Sequence, residues 1–103
     1  MRPGRKKSVK KVIPDWDAGE QTLFWRGRPV HHFFKEAPDQ VEILEAFQTA
    51  GWPHCLNKSR LAGKAIQTKK QLHDTIDNLN RSQGVLHFYQ EGSGSRICWK
   101  PAK

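Results

Sequence analysis

At 103 residues and 11.9 kDa the chain is about one ordinary domain. Lysine and arginine total 18 against 10 aspartate and glutamate, a formal charge of +8, while apolar residues make up 36%. A domain this small buries only about two thirds of its unfolded surface, which argues against a deep catalytic pocket and for a binding module with a basic surface.

No stretch approaches the roughly 18 apolar residues of a membrane span, and no apolar segment follows the basic start, so the expectation is a soluble, intracellular protein. Cys55 and Cys98 fall short of a disulfide framework and read as free thiols. The charge is segregated along the chain. Residues 1–11 hold Arg2, Arg5, Lys6, Lys7, Lys10 and Lys11 and no acid, which predicts a disordered basic arm, with a linker to residue 20. Residues 12–55 carry a net −4 and residues 56–103 a net +6. The folded unit is expected over residues 21–101.

The first element is a hairpin over residues 22–35, where aromatic and β-branched runs flank Gly27-Arg28-Pro29. A turn centred on Gly27-Arg28 places Leu23, Trp25 and Val30 on one face with His32, and Phe24 on the other with His31. Pro38, Asp39 and Glu42 then suit the start of a helix and Gly51 its left-handed stop, with Val41, Ile43, Leu44, Phe47 and Ala50 as the core stripe. A brief strand is expected around residues 54–56, and Asn57 caps a short helical turn that Gly63 stops. Thr68 caps a second long helix over residues 69–83, whose Leu72, Ile76 and Leu79 recur at helical spacing, with Gly84 at its end. The last element is a hairpin. Pairing Gln90 with Ser95 puts Leu86, Phe88, Ile97 and Trp99 on a core face and His87, Tyr89, Arg96, Cys98 and Lys100 on a polar, cationic one. Trp25, Trp52 and Trp99 are assigned to the core, and Trp16 docks the N-terminal segment onto the domain.

This order of elements predicts an α+β winged helix-turn-helix: an N-terminal β-hairpin, a helical core and a C-terminal hairpin as the wing. The run Leu72-His73-Asp74-Thr75-Ile76-Asp77-Asn78-Leu79-Asn80-Arg81 resembles the recognition helix of response-regulator effector domains, in which a Val-Asp-x-x-Ile-x-x-Leu-Arg-Arg pattern leads into a wing. Gly27-Arg28-Pro29-Val30 and Asp39-Gln40-Val41-Glu42-Ile43-Leu44 are similar to that family's Gly-x-x-Val turn and first helix. The chain departs from the pattern in having Asn80-Arg81 for the arginine pair, one hairpin for a four-stranded N-terminal sheet, and no receiver domain. The resemblance implies sequence-specific binding of duplex DNA without catalysis.

The face opposite the apolar stripe of the second helix presents Lys70, His73, Asp74, Asp77 and Arg81, with Asn78 to one side. Lys70 precedes Asp74, and Asp77 precedes Arg81, by four residues, a spacing that also suits intrahelical ion pairs. The expected contacts to nucleic acid are the arm residues Arg2, Arg5, Lys6, Lys7, Lys10 and Lys11, then Lys58, Arg60, Lys64, Lys69, Lys70, His73, Asn78 and Arg81, and Tyr89, Arg96 and Lys100 on the hairpin. Most of these grip phosphate; Tyr89 and His87 can instead stack on unpaired bases, as in RNA readers. No Cys-x-x-Cys or His-x-x-x-His spacing and no glycine-rich phosphate loop occurs, so neither metal, cofactor nor catalysis is expected. The competing class is a protein-interaction adaptor whose acidic first helix, with Glu36, Asp39, Glu42 and Glu45, recruits a basic partner; an RNA-binding module is a third.

Overall fold

The computed structural model describes residues 13–33, 37–92 and 94–102, so the arm residues and Glu36 lie outside the described part. Three strands open the fold: β1 (Asp15–Asp17), β2 (Thr22–Trp25) and β3 (Arg28–His32), antiparallel in the order β1-β2-β3. Strand β1 corrects the expected linker. Trp16 is 3% exposed, sits edge-on to Phe33, and its backbone N–H donates to Gln48 Oε1 at 2.7 Å, so ordered packing begins before residue 21.

The β2–β3 turn is Arg26-Gly27, one residue earlier than expected. Both have positive φ (56° and 79°), the signature of the two-residue turn whose twist matches its strands. A bulge between Leu23 and Phe24 absorbs the extra residue, so Leu23 pairs with His31, while His32 lies opposite Thr22. Pro29 is tolerated because β3 is an edge strand.

Helix α1 (Pro38–Ala50) has its proline at the first turn and ends at Gly51, with φ of 85°. The N–H of Gly51 donates to Gln48 O and that of Trp52 to Phe47 O, a paired closure that brings Trp52 flat onto Phe47 at 5.1 Å. Ile43, Leu44 and Phe47 are fully buried, as their helical spacing requires. Glu42 is also buried: its carboxylate accepts the N–H groups of Gly63 (2.9 Å) and Ala65 (2.7 Å) and ties the following loop to α1.

Strand β4 (Cys55–Asn57) runs into a 3₁₀ helix (Lys58–Arg60), capped by the Asn57 side chain, which accepts from Ser59 N–H. Helix α2 (Lys69–Ser82) starts with a reciprocal cap: Thr68 Oγ1 accepts the Gln71 N–H, and the Gln71 side chain accepts the Thr68 N–H. Leu72, Thr75, Ile76 and Leu79 are buried against the core. The helix stops at Ser82; extended Gln83, rather than Gly84, leads the chain out.

The C-terminal strands β5 (Leu86–Glu91) and β6 (Arg96–Pro101) join β4 in the order β4-β6-β5. Glu91 pairs with Arg96, two residues out from the expected register, so Tyr89 faces Cys98 and His87 faces Lys100. Because side chains alternate with period two, an even slip keeps Leu86, Phe88, Ile97 and Trp99 on the buried face; Cys98, expected on the polar, cationic face, is itself fully buried. Two amide side chains occupy the outer edge of β5. Gln83 accepts the Leu86 N–H and donates to its C=O, and Asn80 does the same for Phe88.

The two cysteines are not free. Cys55 and Cys98 face each other across β4 and β6 and form a disulfide. Beside them Trp99 N–H donates to His54 O, which makes the cysteines the closer, non-hydrogen-bonded kind of pair. Cysteine count alone gave no sign of this, because the pairing arises from the sheet order and bridges 43 residues of sequence.

The described residues thus form a small α+β fold with two α-helices and two three-stranded antiparallel sheets. An aromatic chain from Trp25 through Trp99 and Trp52 to Phe47 joins the sheets across the core. No helix among the described residues is long and apolar enough to cross a membrane.

Candidate nucleic-acid interface

Residues 58–70 contain Lys58, Arg60, Lys64, Lys69 and Lys70 and no acid. All five cations are exposed, running from the 3₁₀ helix through the loop pinned by Glu42 to the first turn of α2. Lys58 and Lys69 border a shallow groove of about 320 Å³ that also involves Asn57 and Thr68. Among the described residues, Lys58, Arg60, Lys64 and Lys69 have no ion-pair partner. Local structure explains the exposure. Asn57 and Thr68 cap the two helical starts, and the buried Leu56, just before the segment, and Ile66, within it, face inward and leave the cations outside.

The outer face of α2 is electrically different. Lys70 Nζ lies 3.0 Å from Asp74 Oδ2 and Arg81 pairs with Asp77, both between exposed side chains four residues apart. His73 and Asn78 are exposed between these pairs. Such pairs hold an exposed helix surface together by only about 0.3–0.5 kcal/mol each, so a phosphate can take Lys70 or Arg81 from its partner at little cost.

Asn80, at one of the positions where the resemblance has an arginine, is spent inside the fold on Phe88.

On the hairpin, Arg96 and Lys100 are exposed and engaged nearby. Arg96 pairs with Glu91 at 3.3 Å, and Lys100 Nζ lies 5.5 Å from the centre of the Tyr89 ring. Tyr89 is half-buried, with its hydroxyl 3.1 Å from His54 Nε2 and its ring parallel to that of His87. The two glycines of the tip described here, Gly92 and Gly94, both have positive φ, which lets the chain reverse there.

The acidic patch expected on α1 is largely used internally. Asp39 accepts the Thr75 hydroxyl at 3.0 Å and Glu42 holds the loop, which leaves Glu45 as the exposed acid among the described members of the set. Buried Glu42 and half-buried Asn80 are invisible to patterning, since each sits at a position where a polar residue ordinarily faces water.

No protein-family model matches this chain, and no curated protein or solved structure matches it either.

Proposed function

We propose that the chain is a winged-helix module that binds duplex DNA without catalysing a reaction. The observation that carries this reading is the acid-free run of exposed cations over residues 58–70, which leads into an amphipathic helix whose apolar face is buried. In a winged helix that position is the turn before the recognition helix, where backbone phosphates are gripped. The element order supports the same reading: a helix, a strand, a short helical turn, an amphipathic helix, then a hairpin that pairs with the strand. Lys58, Arg60, Lys64 and Lys69 grip phosphate; Lys70 and His73 lie nearest the bases, and Arg96 and Lys100 flank the duplex on the hairpin. Asp74 and Asp77 repel phosphate, so the start of α2, rather than its end, leads into the groove.

The spending of Asp39 and Glu42 inside the fold argues against the adaptor reading, which needs them outside.

The test is a fluorescence-anisotropy titration of duplex DNA, single-stranded DNA and duplex RNA over a salt series. The expected result is preference for duplex DNA, with the salt slope reduced by about 0.9 for each phosphate contact removed in the Lys58→Ala, Arg60→Ala and Lys69→Ala variants. Affinity that depends on residues 1–11 alone, and ignores these substitutions, overturns it.

A further inference from the structure

The disulfide has a third neighbour. The Sγ atoms of Cys55 and Cys98 and a carboxylate oxygen of Glu91 all lie within 4.8 Å of one another, and Glu91 Oε1 is 4.0 Å from Cys55 Sγ. The three residues come from β4, β6 and β5 respectively: Cys55 and Cys98 are directly opposed, and Glu91, two residues along β5 from Tyr89 in the same row, reaches them diagonally on the same face. Two thiolates and a carboxylate form the mixed sulfur and oxygen donor set that suits a borderline-soft divalent ion such as Zn²⁺. The nearest competing cation is Arg96, which shares the Glu91 carboxylate.

We propose that Cys55, Cys98 and Glu91 form a redox-gated site for a soft divalent cation of the zinc class, filled only when the disulfide is open. A dithiol reductant supplies two electrons and two protons; the Sγ–Sγ bond breaks, two thiols form, and the reductant becomes its own disulfide. Binding of the cation then displaces the two thiol protons to solvent.

Little backbone change is needed. Two Zn–S bonds of about 2.3 Å at a tetrahedral angle put the sulfurs about 3.8 Å apart, a separation that side-chain rotation reaches from a directly opposed pair. Cys98 is fully buried, Cys55 half-buried and Glu91 exposed, so the site opens toward Glu91, and water takes the fourth position there. The cation and the disulfide are thus alternative ties between the same two strands.

Full-length protein is reduced with a phosphine, which adds no competing thiol, and titrated with Co²⁺ in the absence of oxygen. Thiolate-to-cobalt charge-transfer absorption reads the ligands, and Zn²⁺ competition reads the affinity. The reduced protein is expected to bind one equivalent and the disulfide form none. Cys55→Ser abolishes the charge-transfer band, and Glu91→Gln weakens binding by about tenfold or more, since even an outer-shell substitution costs about that much. Both variants change accessible side chains and avoid buried Cys98, and their metal-free thermal unfolding checks that they fold. A reduced protein with no such band, a disulfide form that binds equally, or a Glu91→Gln variant that binds like the parent overturns the proposal.

Discussion

The two sheets have the same number of strands and opposite ways of being fastened. The N-terminal sheet is tied to α1 largely through one side chain: Gln48 accepts the Trp16 N–H at 2.7 Å and the Trp52 Nε1–H at 2.6 Å and donates to Asp15 at 2.9 Å. The C-terminal sheet is closed by a disulfide between β4 and β6 and by Asn80 and Gln83 along β5. The difference shows where geometry is over-determined. The hairpin that would flank a duplex is held by covalent and two-point restraints, whereas the first sheet depends on one glutamine and on aromatic packing.

Truncating the shared core tests the whole arrangement hardest. Phe88 is 1% exposed and contacts both Phe47 and Trp52, so Phe88→Ala is expected to cost about 3–5 kcal/mol in chemical denaturation. A loss below about 1 kcal/mol would mean that the hairpin does not close the core.

The two fastenings can then be set against each other. Asn80→Ala leaves the Phe88 N–H and C=O without their partner and is expected to cost about 1–3 kcal/mol. Gln48→Ala falls in the same range, but its effect should appear in amide exchange of β1 and β2 and leave β5 and β6 protected. Uniform loss of protection in both variants would erase the distinction.

The smallest effect sharpens the weak side. Burial holds His31 below its ordinary value of 6.5, with His32 pushing the same way and a backbone hydrogen bond at Ser82 opposing them. The unfolded chain therefore takes up this proton at a higher pH than the native one does. The stability that neutral His31 contributes is complete above about pH 6.5 and is lost as pH falls through and below that value. Thermal unfolding from about pH 7.5 to about pH 5 should show a larger decline for the parent than for His31→Gln, and identical declines would remove His31 from the account.

Much of the frame was legible because it rests on local chemistry. Gly51 stops α1, Thr68 caps α2, Asn57 caps the 3₁₀ helix, and alternation sorts the hairpin faces even though its register is two residues out. What stayed hidden depends on distant partners. The docking of Trp16 was legible, but strand β1, only three residues long, and its pairing with β2 were not. The disulfide needs the β4–β6 pairing, and Glu42 turns inward only because two loop N–H groups come to meet it. Of the candidate interface, the cationic run of residues 58–70 and the four-residue spacing of Lys70 with Asp74 and Asp77 with Arg81 were readable; that Lys58, Arg60, Lys64 and Lys69 have no ion-pair partner among the described residues was not.

The amides along β5 have a consequence for how the protein behaves in a crowded solution. An edge strand with open N–H and C=O groups recruits strands from other molecules and seeds aggregates. Here Gln83 and Asn80 occupy the outward groups of Leu86 and Phe88 as a neighbouring strand would. The other three edges are blunted too, since β1 and β4 are three residues long and β3 carries Pro29. Among the described residues neither sheet offers a long free edge, which closes one route to strand-by-strand self-assembly.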